Sequence, residues 1–356
     1  MSELGEKRRR LHAILDGRSL DAIVLSRPAN IAWYSGGGRT HILATPEVAV
    51  CRVVVSRDGD EVVTAVNEAG RLESEELAAL DASFRVVGWD EDLDASVPRG
   101  DRIGSDSALP GTRDVALLVE QARRALTPDE LERFAALGAD VAEVLTETIQ
   151  EHDPASTEQE AAARTARSLL ERAVDPIVLL VAGAARLPVH RHPLPTASPL
   201  GRLAMVVACG RRAGLIASIT RFVSFGALPA PLADAQERLL QVDVALNGAT
   251  RAGARVGEVF AAGARAYGAN GFGAEEWRLH HQGGPTGYEP RDYLASAASD
   301  ALVEEGQAFA WNPSVPSLKC EDTIVATNDL PLVLTVDRRW PVVTVGGLAR
   351  PLVLER

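Results

Sequence analysis

The stretch between Arg202 and Phe225 most constrains what this chain can fold into. Its sequence, RLAMVVACGRRAGLIASITRFVSF, holds two runs of apolar and β-branched residues separated by a short polar link. Such runs joined so closely predict the two antiparallel strands of a hairpin. The stretch contains no Asp or Glu. These strands therefore contribute no carboxylate side chain to any site built on them.

Two helix starts precede the hairpin. Thr127 is followed three residues later by Glu130, which is a capping-box pattern, and Pro128 occupies the favoured first helical position. Ser156 with Gln159 repeats the pattern and predicts a second helix. A new structural unit is therefore expected to begin just before the first of these helices.

The periodicity on the two sides of this point differs. Strand-like and helix-like segments alternate in residues 1–125, which predicts a small α/β domain. Residues 126–356 read as two helices, the hairpin, two further helices (about 229–250 and 255–268) and a closing set of strands. This order predicts a two-domain chain whose larger, C-terminal domain is α+β with antiparallel strand pairs.

Composition excludes several classes of function. The formal net charge is -12 and the pI about 5.2, so the surface as a whole does not attract nucleic acid. No apolar run is long enough to span a membrane, and no apolar leader follows the N-terminal arginines. The three cysteines are far apart and form neither a metal pattern nor a disulfide framework. We expect a cytoplasmic protein with no nucleic-acid or membrane partner.

Six motifs resemble, in order, those of the creatinase, aminopeptidase P and methionine aminopeptidase family, which has the pita-bread fold. They are LDAIVLSRPANIAWYSGG, STEQEAAA, LPVHRHPLPT, LGRLAMVV, ITRFVSFG and CEDTIVAT. Each motif alone is weak, but the ordered set covers nearly the whole chain. The resemblance implies a creatinase-type N-terminal domain followed by a pita-bread domain, and a homodimer.

The resemblance also implies a pair of metal ions held by two aspartates, one histidine and two glutamates. Carried over position by position, these ligands fall on Val207, Ser218, Gly284, Asn312 and Glu321. Only the last is a carboxylate, and divalent ions of this kind require several oxygen ligands. We therefore expect neither the family's metal centre nor any other cofactor.

The creatinase branch of the family is a metal-free precedent, in which a histidine acts as acid and base. On that precedent, His192, His280, His281 and Glu321 are the candidate catalytic residues, because imidazole titrates near working pH and a carboxylate can orient it or pair with a substrate cation. His280 and His281 are predicted to lie side by side in a strand and so to point to opposite faces. Only one of them is then expected to face the site.

Six further residues are candidate substrate ligands, because the motifs place them around the same cavity: His190, Ser218, Arg221, Tyr288, Arg291 and Asn312. Arg291 suits bidentate binding of a carboxylate, or else it begins a solvated helix near 290–298. Glu321 has the alternative of a structural ion pair with Arg221 or a neighbour.

The function expected from these residues is metal-independent, creatinase-like hydrolysis of a C–N bond in a small nitrogenous or amino-acid-derived substrate. Three alternatives stay open: a metal-free lyase, isomerase or cyclase using the same cavity, a non-catalytic pseudo-peptidase, and a Xaa-Pro-type metalloaminopeptidase. The last requires a stoichiometric metal, which the replaced ligands argue against.

Overall fold

The computed structural model describes residues 2–356, which form two compact units. One unit comprises the chain up to Glu130 together with Ala213–Leu215. The other comprises Leu131–Arg212 and Ile216–Arg356. The domain boundary at 125/126 stays a prediction.

The first unit is built on one mixed sheet. Its elements are α1 (Glu3–Arg18), β1 (Ala22–Leu25), α2 (Pro28–Ser35), β2 (Cys51–Ser56), β3 (Asp60–Ala65), α3 (Val66–Arg71), β4 (Ser83–Val87), β5 (Ile103–Ser105), β6 (Arg113–Asp114) and α4 (Ala116–Arg123). The strand order is β4-β3-β2-β1-β5-β6, with β2 antiparallel to both of its neighbours and the outer pairs parallel. The α/β class predicted for this region is confirmed.

The second unit contains the long hairpin and most of the antiparallel pairs. Its elements are α5 (Pro128–Gln150), α6 (Glu158–Glu171), β7 (Asp175–Gly183), β8 (Leu203–Arg212), β9 (Leu215–Ser224), α7 (Ala230–Ala249), α8 (Val256–Ala269), β10 (Gly283–Pro285), β11 (Ala308–Trp311), β12 (Ser314–Val315), β13 (Leu318–Lys319), β14 (Asp322–Val325), β15 (Leu332–Val333), β16 (Val342–Val345), β17 (Leu348–Pro351) and β18 (Leu354–Glu355). The strands form two four-stranded sheets, β18-β9-β8-β7 and β10-β11-β14-β15, and two short hairpins. The α+β class predicted for this region is confirmed.

The predicted hairpin is formed by β8 and β9. Its two turn residues, Ala213 (φ 49°) and Gly214 (φ 76°), both have left-handed backbone, as a two-residue turn between twisted strands requires. Every residue of β9 is buried. Apolar side chains of this sheet, such as Met205 and Phe222, pack with Leu239 and Tyr267 of α7 and α8, which fixes the sheet against the helices.

One of the two predicted helix caps is formed as predicted, and the other is shifted by one residue. Thr127 and Glu130 form the reciprocal capping box, with Thr127 N donating to Glu130 Oε2 over 2.7 Å. The second box lies one residue later than predicted, because Thr157 and Glu160 cap α6. Ser156 is instead held by the Asp153 carboxylate in the preceding turn, so it is not available to the helix.

Two further expectations concern helices. The helix predicted near 290–298 is absent, since those described residues form turns and bends. Thr286 Oγ1 donates to the carbonyls of Glu289 and Pro290, and a helix would need those acceptors for its own ladder. Within residues 2–356, no helix combines the length and hydropathy needed to cross a membrane.

Candidate active site

Two loops of the second unit carry the three candidate histidines. His192 lies in the loop between β7 and β8, while His280 and His281 lie between a short 3-10 helix (Glu276–Leu279) and β10. Arg191 links the two loops through an ion pair with Glu276, with 2.6 Å between Nη2 and Oε1. The loops are therefore held together directly beside the histidines.

The prediction that His280 and His281 point to opposite faces of a strand is wrong. Both residues precede β10. Gly283, two residues after His281, begins β10 with a φ of 93°, a backbone conformation that favours glycine. Both rings approach His192, with centroid distances of 4.7 Å for His280 and 5.4 Å for His281. One nitrogen from each of the three imidazoles lies within 4.8 Å of the other two; we refer to these three residues as the histidine cluster.

A hydrogen-bonded chain runs through the histidine cluster. His280 Nε2 lies 2.9 Å from His192 Nε2, and His280 Nδ1 lies 3.0 Å from Ser314 Oγ. Arg191 Nη1 donates to Ser314 Oγ over 3.1 Å, and the second lone pair of that oxygen can accept from His280 Nδ1. In the tautomer with the proton of His280 on Nδ1, His280 Nε2 accepts from His192 Nε2, and Nδ1 of His192 is left unprotonated. The chain thus fixes the tautomer and the orientation of the His192 ring.

Burial keeps the histidine cluster neutral. His280 is buried, and desolvation with the nearby charge of Lys319 lowers its pKa to about 2. Desolvation and the charge of Arg291 lower the pKa of His281 to about 4. The pKa of His192 is lowered too, first by partial burial of its ring and then by the positive charge of Lys319. His192 is nevertheless exposed to solvent. His192 is therefore the member of the histidine cluster best placed to meet a substrate from solvent.

Glu321 is bonded to two cations of its own chain. Its Oε1 accepts from Arg291 Nη2 over 2.8 Å, and its Oε2 accepts from Lys319 Nζ over 2.7 Å. Thr220 Oγ1 also donates to Oε2 over 2.8 Å. Burial alone would raise the pKa of Glu321, but the charges of Lys319 and Arg291 outweigh it and lower the pKa to about 2. We call Arg291, Lys319 and Glu321 the charged cluster.

The structural ion pair predicted for Glu321, with Arg221 or a neighbour, is formed with Lys319 and Arg291 and not with Arg221. Arg221 instead donates from Nη2 to Asp322 over 2.9 Å, and the ring of Trp340 lies 5.7 Å from its guanidinium carbon. Successive strand residues point to opposite faces, so Thr220 faces Glu321 while Arg221 faces Asp322. The structure thus places Arg221 in a buried ion-pair network and separates it from the histidine cluster.

Of the other predicted substrate ligands, two lie together beside Glu321. Ser218 Oγ lies 3.4 Å from Arg291 Nη1, so Ser218 and Arg291 belong together beside Glu321. Asn312 is buried, its backbone N–H donates to the Gln282 carbonyl, and its Oδ1 has no hydrogen-bond partner among the described residues. Tyr288 is buried and His190 is exposed.

The residues at the expected ligand positions do not fit the family's metal pair. A Cβ at residue 284 would lie 2.6 Å from the Tyr293 carbonyl oxygen, and the φ of Gly284 is +154°, so no histidine side chain fits there. Val207 offers no donor atom. Both oxygens of Glu321, the remaining carboxylate, already accept bonds from cations. Among the described residues, the histidine cluster could hold one transition-metal ion, because neutral imidazole nitrogens are good ligands for such ions.

Two residues of the site were not singled out by the sequence motifs. Ser314 orients His280, and Lys319 neutralises Glu321. Lys319 did carry a signal, because it is one of only two lysines among 37 basic residues. The ammonium group of lysine is a compact, localised charge, unlike the planar guanidinium of the arginines that dominate this chain. Ser314 carried no signal, since serine is common in loops.

Comparison with known proteins gives family matches along most of the chain. A model of the creatinase/prolidase N-terminal domain matches residues 7–122, and a model of metallopeptidase family M24 matches residues 110–328. A search of curated protein sequences gives no match.

Several solved structures have the same fold. The chain is similar to a prolidase from Pyrococcus horikoshii OT3 (TM-score 0.77, 16% identity, covering 94% of this chain and 99% of that one). It is also similar to the dipeptidase PepE from Mycobacterium ulcerans (0.78, 17%, 99% and 98%). An X-Pro aminopeptidase from Thermotoga maritima MSB8 gives comparable values (0.77, 17%, 98% and 99%). At these identities the likeness establishes the fold.

Proposed function

Because the chain belongs to metallopeptidase family M24 but lacks side chains that fit that family's metal pair, we propose that it is a metal-independent hydrolase. In this proposal it cleaves a C–N bond in a small nitrogenous or amino-acid-derived substrate. The observation that carries the proposal is the hydrogen-bonded chain from Ser314 through His280 to His192. Histidines placed in this way can move a proton to and from a substrate without a metal ion.

The proposed reaction adds water to the carbon of the C–N bond. The water oxygen forms a bond to that carbon, the C–N bond breaks, and the nitrogen leaves with a proton. With Nε2 of His192 donating to His280, Nδ1 of His192 takes a proton from the attacking water and returns it to the departing nitrogen, while His280 holds the ring in position. A neutral His192 is required for the first step, and the lowered pKa of its ring keeps it neutral at pH 7.

The experiment is a substrate screen read by mass. Proline dipeptides should be tested first, since structural neighbours are named as a prolidase and an X-Pro aminopeptidase. N-acyl, N-carbamoyl and guanidino acids should follow. A true substrate gains the mass of one water on cleavage, whereas elimination, isomerisation or cyclisation adds none.

We expect His192→Asn to lower kcat on the identified substrate by about 10²–10⁴-fold, the usual contribution of general acid–base catalysis. The matched control is His12→Ala, since His12 lies in α1 of the first unit and its Nε2 contacts the Ser56 carbonyl. Unchanged turnover in His192→Asn would refute the proposed role.

A second candidate function is favoured by the geometry of the histidine cluster. Three neutral imidazole nitrogens within 4.8 Å of one another are also suited to a single zinc-like ion. Hydrolysis assisted by such an ion would need about one metal per chain and would stop when the metal is removed. The positive charge of Lys319 acts on His280 and His281, and that of Arg291 acts on His281. These positive charges disfavour a bound dication.

The homodimer, the cytoplasmic location and the small-molecule substrate are also proposals. They rest on the family resemblance and on the acidic composition. Light scattering of the purified full chain tests the oligomeric state directly.

A further inference from the structure

Two polar side-chain atoms of the site are buried without a hydrogen-bond partner. Asn312 is only 2% exposed, and its Oδ1 accepts no hydrogen bond from the described residues. Nδ1 of His281 is also buried and has no partner among them. A buried acceptor that meets no donor is costly, and folded proteins pair nearly all such atoms. Both atoms are therefore suited to bind a donor group of the substrate.

Asn312 lies beside the histidine cluster. Its backbone N–H donates to the carbonyl of Gln282, the residue after His281, over 3.0 Å. Two residues further along the chain, Ser314 Oγ lies 3.0 Å from His280 Nδ1. The segment from Asn312 to Ser314 is thus bonded at both of its ends to the segment that carries these two histidines.

The strand pattern places Asn312 on the face of the sheet that carries the site. Trp311 of β11 belongs to the apolar core, and successive strand residues point to opposite faces, so Asn312 follows it on the other face. The register that pairs Trp311 with Asp322 places Asn312 opposite Glu321 when it is continued by one residue. Asn312 therefore adjoins both the histidine cluster and the charged cluster.

We infer that Asn312 Oδ1, with the neighbouring Nδ1 of His281, accepts hydrogen bonds from the nitrogen that departs when the C–N bond is cleaved. This inference deepens the proposed function, on which it rests, by naming the substrate class. The departing nitrogen carries at least one hydrogen, as in a primary or secondary amide or a urea. A tertiary amide, such as the bond to the nitrogen of proline, carries none and does not fit.

The charges around Asn312 favour a neutral donor. Glu321 does not pair with a substrate cation, as the sequence led us to expect, because both of its oxygens accept from the protein's own cations. Arg291 and Lys319 together leave this region net positive, which disfavours a cationic substrate group. A neutral N–H group satisfies the two acceptors without adding to the positive charge.

A hydrogen bond from the substrate N–H suits the proposed reaction. The water oxygen bonds to the carbon, the C–N bond breaks, and the nitrogen takes a proton from His192. An acceptor on the N–H leaves the nitrogen lone pair free to take that proton once water has added. An N-alkylated nitrogen offers the acceptors no hydrogen and leaves them buried and unpaired, which is a strong basis for rejecting it.

The test is calorimetric binding of three pairs of amides that differ by one methyl group on the amide nitrogen. The pairs are glycylglycine and glycylsarcosine, N-acetylglycine and N-acetylsarcosine, and N-acetylalanine and N-acetyl-N-methylalanine. The host is the full-length His192→Asn variant in the presence of a chelator, so that neither turnover nor adventitious metal interferes. We expect at least one N–H amide to bind 10-fold or more tightly than its N-methyl partner.

Three further variants in the same host separate a hydrogen bond from steric exclusion. Asn312→Leu keeps the bulk but removes the acceptor, and it should remove the preference for the N–H amide by weakening its binding. Asn312→Asp keeps an acceptor oxygen and should retain the preference, which separates loss of the acceptor from misfolding. Asn67→Leu on α3, where Asn67 is exposed and contacts Glu68, should leave binding unchanged.

The inference is overturned if no N–H probe binds, if both members of every pair bind equally, or if the preference survives Asn312→Leu. Binding is measured without catalysis, so its outcome is separate from that of the proposed function. Loss of turnover in His192→Asn together with no preference for N–H amides would leave the proposed function standing and reject only the role of Asn312.

Discussion

At the residue scale, the contacts of Glu321 determine what the site can bind. Each of its oxygens is bonded to a cationic side chain, so two protein cations lie against the one carboxylate retained at the expected ligand positions. The carboxylate is buried, and its lowered pKa of about 2 keeps it ionised at neutral pH. Arg291 and Lys319 therefore set the electrostatic character of this part of the site, which is net positive.

His280 gives a residue-scale prediction about pH. Burial holds its pKa at about 2 in the folded chain, against 6.5 as its ordinary value. Below pH 6.5 the unfolded chain binds a proton that the folded chain does not, so stability falls as the pH decreases toward 2. Between pH 7.5 and pH 5 this amounts to about 2 kcal/mol.

Urea unfolding of the wild-type protein and of His280→Asn at the two pH values measures this effect. The wild type should lose about 2 kcal/mol more unfolding free energy than the variant between pH 7.5 and pH 5. The variant's absolute stability is not at issue, because the comparison concerns only the change with pH. Equal losses in the two proteins would show that His280 is not held neutral by burial.

At the element scale, the start of β10 determines where both histidines point. Gly283 and Gly284 lie against the backbone of neighbouring segments, and a Cβ on Gly283 would approach the Ala310 carbonyl oxygen to 2.1 Å. This close approach allows β10 to pair with β11. His280 and His281 lie just before this pairing, and both of their rings approach His192.

Gly284→Ala tests the role of this close approach. The added methyl group would meet the Tyr293 carbonyl and the backbone φ would be strained, at a cost of about 3 kcal/mol in unfolding free energy. Gly287→Ala is the matched control, since Gly287 has a similar φ of +147° but open space around its Cβ. Chemical denaturation should show a clearly smaller loss for Gly287→Ala. Equal losses would mean that φ strain alone, and not backbone contact, excludes a side chain at residue 284.

At the scale of the whole molecule, the fold was largely predictable and the site only in part. The order of elements could be predicted from the apolar runs of β8 and β9 and from the caps near α5, because periodicity and capping depend on local sequence. Convergence of His192 with both His280 and His281 was not predictable, since it depends on the glycines that follow them. The charged cluster was missed because Arg291 and Lys319 are distant in sequence and meet only when β13 and the loop after β10 are placed by the sheets.

The molecule as a whole is an M24 fold in which histidines and internal cations are proposed to replace the metal pair. The most direct test is turnover of the identified substrate by protein freed of metal with a chelator and checked by elemental analysis. We expect less than about 0.1 metal ion per chain and full activity in buffers without divalent ions. Activity that disappears on chelation and returns with about one equivalent of zinc, cobalt or manganese would contradict it.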